Sequence, residues 1–258
     1  MSSAGEIYGF VLALLFAVAA GLVGSIALMK RMLLASDVMS HVALPGIGLA
    51  FLFGFNPLLG GAATLFLGTL LIWQLEKKTG LATEAMIGVV FAASVAIGAA
   101  LTPREDMVEA LFGRFHTLSL PAFLIGTAAV LLIIFVIYRL RDQLLLSLFS
   151  PELAAATSVR LSRLNLYFLL TFSLTVLVGL RFMGALLAGA LVIIPAATGR
   201  RLTSNLPHFL VASCAVSVAA TALGLLVTAA ALPQFSPGPI VVIISALFFA
   251  TTLLRNAA

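Results

Sequence analysis

Charge is what this chain has least of. Of its 258 residues, 9% are Asp, Glu, Lys or Arg, against roughly 25% in a soluble domain. A soluble fold must still present a polar exterior, and 62% hydrophobic residues leave too little to make one. A mean hydropathy of +1.23 points the same way. Together they exclude a soluble globular enzyme. Cysteine is nearly absent too. Cys214 is the one copy, so no internal disulfide can form, and its apolar neighbours suit a buried, inert thiol. No Gly-x-x-x-x-Gly-Lys-[Ser/Thr] loop occurs anywhere, so if the chain serves a pump, another chain hydrolyses the nucleotide. His-Glu-x-x-His and Gly-x-Ser-x-Gly are missing as well, which removes the metalloprotease and serine-hydrolase signatures. The 14 basic residues are scattered over loops, whereas nucleic-acid binding needs a clustered basic face.

What the chain does have is long runs without charge. They cover Ile7–Met29, Val42–Leu75, Ala85–Pro103, Phe115–Tyr138, Leu164–Leu180, Phe182–Gly199 and Leu202–Leu254. A membrane-spanning helix needs about 20 apolar residues. Two of the runs are too long for one span. Asn56-Pro57 divides the first, and the Pro- and Gly-rich stretch 232–239 divides the second, because proline cannot continue a helix. The sequence therefore predicts an all-α polytopic membrane protein, residues 1–258 forming a single transmembrane domain. Its segments fall at 6–29, 34–55, 57–75, 83–102, 119–139, 164–180, 182–198, 206–230 and 238–254. The pair 164–180 and 182–198 is short and parted only by Arg181. If one of them is broken or half-length, nine spans become eight. The first segment lacks a basic leader and exceeds the about 7–15 apolar residues of a signal core, so it is expected to stay as a span.

Basic residues set the orientation. With the N-terminus outside, Lys30, Arg31, Lys77, Lys78, Arg139, Arg141, Arg160, Arg163, Arg200, Arg201 and Arg255 fall inside. Only Arg104, Arg114 and Arg181 fall outside.

Against this background Asp37 and His41 stand out. Residues four apart share a helix face, where a carboxylate and an imidazole can hold a divalent cation. Pro45-Gly46 follows and permits a bend, of the kind that lines cavities in membranes. A plainer reading stays open beside it: Ser36 caps a helix and Asp37 favours its positive end. Glu84, after Thr83, fits an ordinary helix start or a place on an ion pathway. His116, Glu105, Asp106 and Glu109 lie on the outer loop, and His208 follows Pro207 at an inner helix start. The inner stretch 150–163 begins Ser-Pro-Glu, which suits a cap and a first turn. A short helix there, about 150–160, could dock a partner or rest on the headgroups. Finally, Gly184, Ala185, Ala188, Gly189 and Ala190 would let helices approach closely, and Pro195 is expected to end or kink that run.

Four stretches together carry a resemblance: SDVMSHVALPGIGLA at 36–50, the acid of Glu84 ahead of Ile87-Gly88, Ser-Pro-Glu-Leu-Ala at 150–154, and FMGALLAGALVIIPAATGR at 182–200. From about Tyr8 to Leu254 the chain resembles the membrane permease subunit of bacterial ABC importers for zinc, manganese or iron. The resemblance implies a multi-pass protein of the bacterial cytoplasmic (inner) membrane, working as a homodimer. A cytoplasmic ATP-binding subunit would drive it, and a periplasmic or lipid-anchored metal-binding protein would load it. The chain itself would not be an enzyme and would hold no permanent cofactor, only the transported Zn, Mn or Fe ion. Asp37 and His41 match the family's metal-contacting positions, and Glu84 matches an acidic position to which the resemblance assigns no definite role. Pro151, Glu152 and Ala154 match the coupling helix that seats in the ATPase. Ser158 departs from the family's glycine just beyond that helix.

Overall fold

The computed structural model describes residues 3–101, 118–150, 152–153, 160–231 and 234–254. Among the described residues there are ten helices: α1 (Ser3–Met29), α2 (Ala35–His41), α3 (Leu44–Phe53), α4 (Pro57–Thr79), α5 (Thr83–Leu101), α6 (Leu120–Phe149), α7 (Leu161–Phe182), α8 (Ala185–Leu202), α9 (Leu206–Ala231) and α10 (Pro237–Leu254). Eight spans are long and apolar enough to cross a bilayer, with α2 and α3 together forming one of them. In addition, α8 is a further helix of 18 residues.

The divisions fall where the chain chemistry puts them. Asn56 caps α4, its side chain accepting from the Leu58 N–H at 2.9 Å, and Pro57 takes the first helical position, where its missing N–H costs nothing. Gly54 and Gly80 close α3 and α4 in the left-handed conformation that glycine adopts without strain. The short pair at 164–198 becomes two full helices, α7 and α8, turned on Met183-Gly184 alone. Gly184 has φ +84°, a region closed to most side chains. Pro195 neither ends nor divides α8, which runs through it to Leu202. The sharper break lies instead between α2 and α3, at Val42–Ala43. The stretch 140–149, expected as an inner loop, continues α6 to Phe149, because no glycine or proline interrupts it before Pro151.

In α1, two thirds of the most apolar 18-residue stretch is buried (67%), and α7 follows at 61%. α1 packs against α6, α7, α8 and α9, while α3 lies between α4 and α5. α2 links the two groups through α5, α7 and α8. In lipid there is no hydrophobic drive between helices, so close approach and polar contacts decide which faces meet. Gly24 brings α1 against the Val192 carbonyl of α8, and Gly46 and Gly60 bring α3 and α4 backbone to backbone. The hydroxyls of Thr69 and Ser173 meet at 2.5 Å between α4 and α7.

The basic ends gather on one side. Lys30 after α1, Lys77 in α4, Ser147 in α6 and Ser162 in α7 line one cavity, and Arg201 of α8 reaches Thr252 of α10 at 3.1 Å. On the opposite side, the Leu118 N–H donates to the Gly5 carbonyl, and Tyr8 stacks on Phe123. This is the alternation that the charge distribution predicts.

Candidate functional site

α2 divides its residues between two faces. Ala35, Ser36, Met39 and Ser40 are buried, whereas Leu34 and Asp37 are exposed and Val38 and His41 half-exposed. Asp37 and His41 thus share the open face, one turn apart. Leu34 stands at the cap position with no side-chain cap, and Asp37 occupies the first turn. The Ser36 hydroxyl donates backwards to the Leu33 carbonyl at 3.1 Å, so it does not cap the helix. The Ser40 hydroxyl likewise donates to the Asp37 carbonyl at 2.6 Å. The plainer reading thus loses Ser36 as the cap that accepts a backbone N–H, while Asp37 keeps the first-turn place that it gave the acid.

The neighbours place the pair along the bundle. The His41 ring meets Phe91 edge-on at 5.7 Å. Phe91 lies about two turns into α5 from Thr83, roughly 12 Å along that helix at 1.5 Å per residue. Asp37 sits one turn lower, against α8. A side-chain carbon built on Gly189 would stand 3.8 Å from Asp37 Cβ, so the glycine keeps α8 in contact with the acid's backbone. Among the described residues, no group of three or more His, Cys, Asp or Glu side chains gathers to hold a metal. One chain offers an ion an acid and an imidazole, and further ligands must come from water or another chain.

Glu84 is exposed in the first turn of α5, and nothing brings it to Asp37 or His41. His208 is exposed at the start of α9. His116, Glu105, Asp106 and Glu109 lie outside the described residues, as do Pro151 and Ala154–Val159, which make up most of the expected coupling helix. Glu152 is helical and exposed. Cys214 is half-buried and donates to the Val18 carbonyl at 3.6 Å, in keeping with an inert thiol.

Sequence reasoning missed a second polar cluster, at the basic end. Asn165 of α7 accepts from Lys30 Nζ at 2.9 Å through Oδ1. Its Nδ2 donates to both Glu76 oxygens, at 2.9 and 2.7 Å, and approaches Thr83 Oγ1 at 3.4 Å. Lys30 also lies over the Phe168 ring, 5.2 Å from its centroid. Burial holds its pKa below the usual lysine value, with Glu76 pulling the other way. Trp73 ties α4 to α7 next to this cluster by donating to the Ser162 carbonyl at 2.8 Å. The group borders a cavity of about 390 Å³. The signal available in the sequence was an acid ahead of Lys77-Lys78 and a lone amide opening an apolar segment.

Fold and site define a polytopic helical membrane protein that keeps an acid and an imidazole on one open face of a short helix. The chain belongs to the ABC 3 transport family, whose model matches residues 7–256. Among curated relatives, it is 27% identical to the manganese import system permease protein ScaB of Streptococcus gordonii, over 92% of this chain and 86% of that protein. It is 26% identical to the high-affinity zinc uptake system membrane protein ZnuB of Haemophilus influenzae, over 88% of each. Among solved structures, PsaBC from Streptococcus pneumoniae in complex with Fab aligns with TM-score 0.78 at 23% identity, covering 95% of this chain and 89% of that one.

Proposed function

We propose that this chain is the membrane permease subunit of an ATP-driven importer that carries a divalent metal ion into the cytoplasm. The observation that supports it most is the open face of α2, with Asp37 and His41 one turn apart in a candidate membrane span. An ionised side chain at the centre of such a span costs about 2.5–3.5 kcal/mol on insertion scales if it faces lipid. It is tolerated on a water-filled passage or against a second copy of the chain. Two copies would bring two acids and two imidazoles to one axis, a tetrahedral set for a passing ion. Side chains this open would bind transiently, as an ion in transit requires. The relatives described above are named for manganese and zinc, and both ions accept this ligand pair, as ferrous iron does.

The rest of the cycle is read from the family. A metal-binding protein outside the membrane delivers the ion, and a separate cytoplasmic subunit hydrolyses ATP. Residues 150–160, with Pro151, Glu152 and Ala154, form the surface that receives the ATPase. ATPase closure then rocks the paired permeases between outward and inward access.

The test is import into vesicles containing this chain, its ATPase and its metal-binding protein, with zinc, manganese and ferrous iron in competition. ATP-dependent uptake of one of them is expected. Equal uptake by the chain without the ATPase would replace this reading with a stand-alone transporter or channel.

A further inference from the structure

Asn165 occupies a place that the ion site does not explain. It is buried, on the second turn of α7, just beyond the stretch proposed above to receive the ATPase. Through Oδ1 it holds Lys30, and through Nδ2 it holds Glu76 of α4. Lys30 is the first residue after α1 and opens the link to α2. That link is tightly wound. Arg31 sits at φ +60°, its N–H donating to the Leu28 carbonyl, and the Met32 N–H reaches back to the Ala27 carbonyl at 2.8 Å. Non-glycine residues hold the left-handed conformation only where their surroundings impose it. A link so short and so bonded has little slack between Lys30 and Ala35, where the helix bearing Asp37 and His41 begins.

We infer that Asn165 is a positioning residue that carries motion of the inner end of α7, through Lys30, to the helix presenting Asp37 and His41. This rests on the ATP-driven reading above. The amide suits the task because it accepts and donates at once. Leucine has similar volume and does neither. Aspartate at this position would set a second carboxylate against Glu76. Lys30 is the other half of the joint: Lys30→Met leaves the Asn165–Glu76 contact in place but detaches the α1–α2 link from α7.

The experiment measures ions imported per ATP hydrolysed by the vesicle-embedded complex, for the wild-type chain, Asn165→Leu, Lys30→Met and the double variant. Coupling energies between sites typically correspond to 5–150-fold. Each single variant is expected to lower the ratio about tenfold while the complex assembles and hydrolysis stays within about twofold of wild type. The double variant is expected to be no worse than either single one, because both break one joint. The double variant removes the cation together with its amide partner; the Glu76 carboxylate that both leave behind is half-buried on the cavity wall, where water can reach it, so the fold is expected to persist. Unchanged ratios in both single variants overturn the inference. So does a parallel fall of assembly, hydrolysis and import in all three, which would make the cluster structural only. If the wild-type complex shows no ATP-dependent import, the proposed function itself fails, and that result is read before any variant.

Discussion

At the scale of single residues, Asp37 and His41 separate from the other polar groups by where they stand. Glu84 and His208 lie at helix starts, where an acid or an imidazole meets headgroups and water at little cost. Asp37 and His41 instead share one open face of a short helix packed among α5, α7 and α8. In Asp37→Ala and His41→Ala, ATP-driven import is expected to fall at least about tenfold, since each variant removes half of one chain's ligands. Size-exclusion profiles of the complex should not move, because both side chains point away from the packed face. Normal uptake by either variant would remove these residues from the ion's path. The i, i+4 spacing made this pair legible in the sequence. Asn165 and Glu76 were not, because nothing in their spacing, 89 positions apart, announces a contact.

Elements meet here through missing side chains. Gly46 of α3 and Gly60 of α4 face each other so closely that a methyl on either would run into the other's carbonyl. Overpacking of this kind costs about 1–3 kcal/mol. Gly46→Ala is expected to lower the melting temperature in detergent accordingly, by differential scanning fluorimetry. Gly88→Ala, with no atom within 4 Å of the added carbon, serves as the control and should leave it unchanged or slightly raised, since alanine is the better helix former. A Gly46→Ala chain as stable as wild type would show that α3 can shift away from α4. The break between α2 and α3 belongs to this scale as well. There the Ala43 carbonyl already accepts the Ile47 N–H of α3 at 3.1 Å, and the Thr64 hydroxyl of α4 lies 3.3 Å from the same oxygen, which ties the break to α4.

At the scale of the whole molecule, one end is basic and the other is not. Ser119 opens α6 on the side of Gly5 and Tyr8, and Thr79 closes α4 beside Lys77 and Lys78. With Cys214 replaced by alanine, Ser119→Cys is expected to react with a membrane-impermeant maleimide in intact cells. Thr79→Cys should react only after permeabilisation. The reverse pattern would invert the chain in the membrane and with it the direction of import.

The sequence alone determined the class of protein. Its hydropathy leaves a bilayer as the only solvent that fits, its basic residues choose a side, and its prolines and asparagines cut the runs where the helices end. Sequence patterning also set Asp37 and His41 on one face, since helical periodicity is local. Only the tertiary structure decided which helix is central. Lipid and protein interior are equally apolar, so hydrophobicity cannot tell the buried α1 from its lipid-facing neighbours. It also decided that the break falls at Val42–Ala43, and that Lys30, Glu76 and Asn165 share one site. Those outcomes depend on contacts between residues far apart in the chain, and no local pattern records them.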